Sequence, residues 1–227
     1  MNTAAPNPLP ARGGAAGALM ILAAGASLRL GQPKQLLPFR GRSLLRHAAE
    51  TALASVCRPV VVVLGALAER LNQELRGLPV TVAMNLQSNE GLSSSIRAGL
   101  KALAPEGTGP DAVVIMLCDQ PLISAQFLDR LVAVHHSSGK GIVAAEYGGE
   151  GGVPALFSRA YYPELAALRG SRGAKPVIVK YAKDAERIPL PEAAIDVDRQ
   201  ADIQWLGRLA GVCLPDAGEN GCQGEIM

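Results

Sequence analysis

The chain is poor in aromatic residues and carries almost no excess of charge. Phe, Trp and Tyr together make up 4% of its 227 residues, which argues against a stacking surface for single-stranded nucleic acid. The 22 Lys and Arg residues nearly balance the 20 Asp and Glu residues. A formal net charge of +2 is too small to indicate nucleic acid or a membrane surface as the main partner. No run reaches the roughly 18 apolar residues of a membrane span. With 48% hydrophobic and 19% charged residues, the composition is that of an ordinary globular domain.

Cysteine is also scarce, and its positions are scattered. The four cysteines are Cys57, Cys118, Cys213 and Cys222. Their spacing supports neither a secreted disulfide framework nor a structural zinc site, so free thiols are expected. Arg12 and the stretch after it imitate a signal peptide, but the apolar part at 18–24 is short and three prolines precede it. We therefore expect a cytoplasmic protein.

Apolar runs and helical stripes alternate along the chain. Runs typical of buried strands cover 18–23, 59–65, 79–84, 111–119 and 141–147. Amphipathic patterns predict helices over 43–56, 66–75, 92–103, 124–136 and 198–210. Ser43 and Ser124 stand at N-cap positions. This alternation predicts a three-layer α/β fold with a mostly parallel central sheet, in which 111–119 is the middle strand.

The other segments carry weaker patterns. From the N terminus we expect a disordered leader (1–16), a single domain (17–210) and a flexible Gly-rich tail (211–227). Within the domain we expect a looser Gly-rich section over 148–158, one or two helices over 159–182 and an extended piece over 185–197.

The segment after the first strand, AAGASLRLGQPKQLLPFRG at 23–41, combines small residues with cations. It is not a Walker A loop, because five residues separate Gly25 from Gly31, and GxGxxG is absent. Small residues let backbone N–H groups approach a phosphate closely, and Arg29 and Lys34 add two positive charges. Taken alone, the loop fits a phosphate site or a Gly-rich turn with solvated basic residues.

Carboxylates follow two later segments. Asp119 ends the predicted middle strand, where a side chain faces the ligand cleft of such sheets. Proteins hold Mg²⁺ with one or two carboxylates together with substrate phosphates. Taken alone, Asp119 equally fits an acid near a helix N-terminus. Asp196 and Asp198 end the late extended segment, and period-two spacing predicts that both side chains share one face.

Five motifs, in this order, resemble the MobA-like nucleotidyltransferases. They are LAAGASLRLGQPKQLLPFRG (22–41), NEGLSSSIRAGL (89–100), CDQP (118–121), GGVPALFSR (151–159) and IDVD (195–198). The resemblance covers about residues 18–206. LAAG, where the guanylyltransferase branch typically has LAGG, the SSS helix start and CDQP are more similar to the molybdenum cofactor cytidylyltransferase branch.

The resemblance implies a nucleoside triphosphate bound with Mg²⁺ over a Rossmann-like sheet. The implied nucleotide-binding residues are Leu22, Ala23, Ala24, Gly25, Arg29, Lys34, Asn85, Ser94 and Ser95. Among them Arg29 and Lys34 would hold the triphosphate and stabilise the leaving pyrophosphate, and with Asp119 they form the implied catalytic set. Asp119 and Asp198 would hold the metal, with Asp196 as a lesser candidate.

The implied reaction is transfer of CMP from CTP to molybdopterin with release of pyrophosphate. Alternatives are a guanylyltransferase, a transferase acting on another small phosphate such as a sugar phosphate, or a non-catalytic module that binds nucleotide or cofactor. The expected partners are CTP or another NTP, a phosphorylated acceptor such as molybdopterin, and transiently the molybdoenzyme apoproteins or their chaperone. Neither nucleic acid nor a membrane is expected as a partner.

Two late motifs depart from the family pattern. GSRGAK (170–175) stands where the family usually has a motif close to GDxGAR, so Ser171 replaces an acid and Lys175 an arginine. RQAD (199–202) stands where TPED is usual. These departures lie on the acceptor side and concern the acceptor more than the type of reaction.

Overall fold

The computed structural model describes residues 17–25, 30–105, 109–197 and 199–210. The predicted leader and tail, 1–16 and 211–227, therefore lie outside the described residues. So do Arg29 and Asp198, two of the predicted site residues.

A seven-stranded sheet forms the middle layer, and its order is β5-β4-β1-β6-β8-β7-β9. Its strands are β1 (Ala18–Leu22), β4 (Val60–Leu64), β5 (Thr81–Met84), β6 (Ala112–Leu117), β7 (Ile142–Tyr147), β8 (Glu150–Ser158) and β9 (Ala185–Pro189). A separate two-stranded hairpin consists of β2 (Pro38–Phe39) and β3 (Arg42–Ser43). β6 is the central strand, and β1 pairs in parallel with both β4 and β6. The prediction of a mostly parallel sheet with this strand in its middle is confirmed.

Helices cover both faces of the sheet. They are α1 (Leu44–Ala54), α2 (Ala68–Leu71), α3 (Leu92–Leu103), α4 (Ala125–Ser138), α5 (Tyr162–Ala167), α6 (Lys175–Lys180) and α7 (Gln200–Ala210). Alternate residues of β1 enter different cores: Leu19 and Ile21 belong to the core that α1 and α4 cover, and Met20 belongs to the core that α3 and α6 cover. All three are fully buried, which is why the strand reads as a continuous apolar run.

Both predicted N-caps are confirmed. Ser43 Oγ accepts a hydrogen bond from the Arg46 amide, and Ser124 Oγ accepts one from the Phe127 amide, each at 3.2 Å. These bonds satisfy amides at the helix starts that have no partner within the helix. α3 has the bounds predicted for it, 92–103.

The prediction of a loose section at 148–158 is wrong. Gly148 and Gly149, with φ of +58° and +76°, form a tight turn that folds β8 back along β7. β8 runs antiparallel to β6 and to β7, over nine residues. Glycine stands inside this strand for a packing reason, because a Cβ at Gly152 would overlap the Tyr147 hydroxyl.

Two further predictions need correction. The helix predicted over 66–75 is the short α2 followed by a 3-10 helix over Asn72–Leu75. The extended piece predicted over 185–197 is a strand only to Pro189, after which Pro191–Ala194 forms a 3-10 turn. Proline has no N–H to offer a sheet neighbour, so pairing stops there. Asp196 is not part of a strand, so the argument that placed it on a strand face is wrong, and Asp198 lies outside the described residues.

α4, the longest of the described helices, has 14 residues. Within the described ranges no helix is both long and apolar enough to cross a membrane.

Candidate active site

The first site element is the pair of loops that leave β1 and β6. These strands are parallel neighbours, with Leu22 opposite Leu117, so both loops start from the same edge of the sheet. The Cys118 amide donates to the Leu22 carbonyl at 3.3 Å, and the Ala23 amide donates to Val63 on the other side at 3.0 Å. This edge is the carboxyl edge, where open α/β sheets bind ligands.

The predicted nucleotide-binding residues at the end of β1 differ in exposure. Leu22 is 5% exposed and its side chain belongs to the core, while Ala23 and Ala24 are also buried. Gly25 is the exposed one of these four residues. Of these four residues, Gly25 is therefore the one whose backbone a ligand at this end can reach.

Gln35 holds that backbone in place. Its side chain is almost fully buried, and Nε2 donates to the carbonyls of Ala23 at 3.0 Å and Gly25 at 2.7 Å. Gln35 lies in a single 3-10 turn, Lys34–Leu36, which starts after the rigid Pro33. The predicted site did not include Gln35; the sequence marks it only as a polar neighbour of Lys34.

Lys34 and Asp119 meet across the two loops. Lys34 Nζ forms an ion pair with Asp119 Oδ2, and the side chains are only 17% and 8% exposed. The other carboxylate oxygen, Asp119 Oδ1, is buried and accepts no hydrogen bond from the described residues. Leaving a buried acceptor without a partner costs about 1–3 kcal/mol, more for a charged group. The structure thus brings together the cation predicted for phosphate and the acid predicted for metal.

The donor set fits a hard divalent cation. A buried carboxylate oxygen with unused lone pairs is the type of ligand that Mg²⁺ prefers. Among the described residues no cluster of three or more His, Cys, Asp or Glu side chains could hold a metal alone. Asp119 would therefore share the ion with substrate phosphates and water, as is usual for Mg²⁺ sites in phosphoryl-transfer enzymes.

The segment that carries Asp196 lies next to Asp119. The Val197 amide donates to the Asp119 carbonyl at 3.2 Å, which sets the exposed Asp196 beside the end of β6. Burial raises the pKa of Tyr147, and the charges of Asp196 and Asp119 add to the rise. Both carboxylates therefore lie within electrostatic reach of one phenol.

Asn85, Ser94 and Ser95 also lie together. Asn85 Nδ2 donates to both hydroxyl oxygens, at 2.9 Å and 3.0 Å, and all three residues are at most 4% exposed. Ser94 Oγ in turn donates to the Gly91 carbonyl at 2.7 Å. The three side chains fasten the end of β5 to the start of α3. Their contact with a nucleotide stays a prediction.

The motif at 170–175, which differs from the usual family pattern, borders the start of α3. The Ser93 amide donates to the Gly170 carbonyl at 3.2 Å. Gly91 has a φ of +99°, and a Cβ there would lie 2.9 Å from the Gly170 oxygen. Lys175, half exposed, forms an ion pair with Glu150. The motif therefore packs on the predicted nucleotide edge at its start and turns toward β8 at its end.

Comparison with known proteins shows the family of the chain. A model of the MobA-like NTP transferase domain matches residues 19–185. Nicotine blue oxidoreductase from Paenarthrobacter nicotinovorans is 34% identical over 207 residues, covering 88% of this chain and 89% of that protein. Purine catabolism protein PucB from Bacillus subtilis (strain 168) is 30% identical over 168 residues, covering 70% of this chain and 78% of that protein.

Solved structures share the fold. The Rv0371c homologue from Mycobacterium sp. strain JC1 is 30% identical, with a TM-score of 0.72 over 86% of this chain and 99% of that one. Rv0371c from Mycobacterium tuberculosis H37Rv, solved as a complex with manganese, is 27% identical, with a TM-score of 0.66 over 86% of this chain and 98% of that one. With a family model that spans most of the domain and relatives at 30% identity or above, the chain belongs to the MobA-like NTP transferase family and is a nucleotidyltransferase.

Proposed function

We propose that the chain transfers CMP from CTP to molybdopterin, with Mg²⁺ as the metal and pyrophosphate as the second product. The Lys34–Asp119 ion pair carries the transfer part of this proposal, because it puts a cation and a carboxylate at one phosphate loop. The choice of CTP and molybdopterin comes from the resemblance of LAAG, the SSS helix start and CDQP to the cytidylyltransferase branch.

The reaction needs positioning and charge neutralisation more than a strong base. An oxygen of the acceptor phosphate attacks the α-phosphorus, and the bond from that phosphorus to the pyrophosphate oxygen breaks. The nucleophile is already an anion, so no proton has to be removed first. A divalent metal, when bound, neutralises phosphate charge and acts as a Lewis acid.

The chain's own residues have separate tasks in this proposal. The backbone around Gly25, held by Gln35, receives the phosphates, and Lys34 stabilises the charge that develops on the leaving pyrophosphate. Asp119 holds the metal, and Asp198 is the proposed second ligand. Arg29 is proposed to assist Lys34.

The alternative functions differ from the proposal in the acceptor and in the base of the nucleotide. A guanylyltransferase or a sugar-phosphate transferase would use the same ion pair. The relative from Paenarthrobacter is named an oxidoreductase, which makes a redox assay necessary. The name of the Bacillus relative refers to purine catabolism. Xanthine is a purine, and the branch that the chain resembles supplies cofactor to xanthine-dehydrogenase-type hydroxylases, which favours molybdopterin as acceptor.

Pyrophosphate release tests the proposal directly. The protein is assayed with each of the four NTPs, with molybdopterin or a sugar phosphate as acceptor, and with Mg²⁺ or Mn²⁺. We expect release with CTP and molybdopterin. A preference for GTP, or for a sugar phosphate, would overturn the assignment of substrates but would still agree with nucleotidyl transfer. Oxidation of NADH or NADPH without any pyrophosphate release would overturn transfer itself.

A matched pair of variants controls for general effects. Asp119→Asn removes the charge at the carboxyl end of β6, and we expect loss of most activity. Asp111→Asn makes the same change at the opposite end of β6, just before its first residue, where the Asp111 side chain is 93% exposed. We expect that control to retain wild-type turnover. Equal turnover in both variants would contradict the role of Asp119.

A cytoplasmic location and transient contact with molybdoenzyme apoproteins or their chaperone belong to the same proposal. The contact follows from the acceptor, because an enzyme that completes the cofactor has to hand it on, and the location rests on the scattered free cysteines. Fractionation of cells and capture of apo-hydroxylase by the CTP-loaded protein test these points.

A further inference from the structure

Gln120, the residue after Asp119, is buried and ties two distant segments to the end of β6. The residue is only 5% exposed. Nε2 donates to the Val153 carbonyl in β8 at 3.2 Å and to the Ala193 carbonyl at 2.8 Å. Ala193 belongs to the 3-10 turn that precedes Asp196.

A second hydrogen bond joins the loop after β6 to the segment that carries Asp196. The Val197 amide donates to the Asp119 carbonyl at 3.2 Å. Asp196 therefore lies between two anchors, Ala193 and Val197, which hold to consecutive residues of the loop after β6. The position of the Asp196 backbone relative to Asp119 depends on both anchors.

The two ends of the Gln120 amide are used differently. Both hydrogens of Nε2 are committed to carbonyls, which fixes the orientation of the amide. Oε1 is buried and has no hydrogen-bond partner among the described residues, and the same is true of Asp119 Oδ1. Leaving Oε1 buried without a donor costs about 1–3 kcal/mol. Two neighbouring residues with unused buried acceptors point to a bound group that completes them.

Charge explains why an amide suits this position. Asp119 and Asp196 carry charges of the same sign, and Asp119 is already paired with Lys34, so a neutral amide can hold the segment that carries Asp196 without disturbing that pair. A lysine or arginine would hold the Ala193 carbonyl as well, but its charge would compete with a metal for the carboxylates. Gln120 holds the segment and leaves the charge of the site unchanged.

We propose that Gln120 is a positioning residue of the metal site, which holds the Asp196 segment against Asp119 and offers Oε1 to a donor on the bound group, such as a metal-bound water. This inference rests on the proposed function, since it takes Asp119 as a metal ligand. Outer partners of metal ligands typically change metal affinity by about 10- to 100-fold when they are removed.

Mn²⁺ binding to the full chain, measured from the signal of free Mn²⁺ without nucleotide or acceptor, tests the inference. Gln120→Met keeps the volume and removes both N–H donors, and we expect its dissociation constant to rise by about tenfold. At saturating Mn²⁺, we expect turnover to return toward the wild-type value. Gln126→Met is the matched control, because it makes the same change at an exposed glutamine on α4. We expect wild-type Mn²⁺ affinity for this control.

A second variant covers the case in which Gln120→Met does not fold. Gln120→Asn keeps the amide but is one methylene shorter, so it cannot reach both carbonyls, and we expect weaker Mn²⁺ binding. Folded Gln120 variants with wild-type affinity, or an equal loss in Gln126→Met, would overturn the role of Gln120 and leave the metal assignment in place. Mn²⁺ binding that Asp119→Asn leaves unchanged would overturn the metal assignment and this inference with it.

Discussion

Lys34 and Asp119 neutralise each other in the site, where Lys34 Nζ contacts Asp119 Oδ2. Both charges are largely withdrawn from solvent, so each depends on the other when no ligand is present. In the proposed function the same two residues serve different partners, phosphate and metal. Because Asp119 Oδ1 has unused lone pairs, a metal can bind there while Lys34 stays at Oδ2, and the two cations then share one carboxylate.

Lys34→Met separates these roles. We expect kcat for pyrophosphate release to fall by about 10²- to 10³-fold, as on removal of one group that stabilises transition-state charge. Without nucleotide, we expect Mn²⁺ to bind more tightly, because the competing cation on Asp119 is gone. Removal of one partner of a buried ion pair costs about 3 kcal/mol of folding stability, and we expect Mn²⁺ to restore part of it.

Lys101→Met, an exposed lysine on α3, is the control for that experiment and should match the wild type in all three measurements. Weaker Mn²⁺ binding in Lys34→Met would contradict a competition between lysine and metal for Asp119.

Gln35→Met tests the support of the phosphate loop. The variant loses two hydrogen bonds to the loop backbone, each with a net value of about 1 kcal/mol. We expect KM for the nucleotide to rise by about tenfold, which corresponds to about 1.4 kcal/mol, with a smaller change in kcat. Steady-state kinetics check this, with the exposed Gln73→Met as control. An unchanged KM would show that the loop keeps its shape without Gln35.

Gly91→Ala tests the contact between the start of α3 and the loop at Gly170. With a φ of +99° and a ψ of −170°, Gly91 lies in a backbone region used almost only by glycine, where another residue costs about 1–3 kcal/mol. The new Cβ, 2.9 Å from the Gly170 oxygen, adds a clash, and overpacking of this kind costs about 1–3 kcal/mol more. Gly77→Ala has a φ of +77° with no atom near its Cβ, so it carries the φ cost alone. We expect a larger fall in the urea midpoint for Gly91→Ala, and equal falls would contradict the contact.

His47 makes stability depend on pH. Burial lowers its pKa below the ordinary value of 6.5, and the nearby Arg40 adds to this. Between the lowered pKa and 6.5 the unfolded chain binds the proton more readily, so the stability from neutral His47 is present above pH 6.5 and is lost as pH falls. The neutral ring keeps its hydrogen bond from Nε2 to the Pro121 carbonyl, at 3.0 Å.

His47→Gln keeps a donor for that carbonyl and cannot titrate. We expect its urea midpoint to fall less than that of the wild type on going from neutral pH to about one unit below the ordinary histidine pKa. Parallel changes in both proteins would show that His47 does not contribute to the acid sensitivity.

Local patterns in the sequence were sufficient for most of the architecture. The apolar runs of β1 and β4 predicted strands buried on both faces, and the serines before α1 and α4 predicted their caps. Such signals depend on neighbours a few residues apart, which a single sequence displays. The resemblance of its motifs also predicted the family that the comparisons show.

Partners far apart in the chain were decided by the tertiary structure alone. β8 was missed because its glycines look like a loop until Tyr147 is seen to occupy the space of a Cβ at Gly152. Gln35 is 12 residues from the carbonyl of Ala23 that it holds, and Gln120 is 73 residues from that of Ala193. Nothing in the local sequence distinguishes either glutamine from a solvated one. The sequence thus determined which residues could carry charge or bind phosphate, whereas burial and long-range hydrogen bonds, which exist only once the sheet has formed, determined which of them meet.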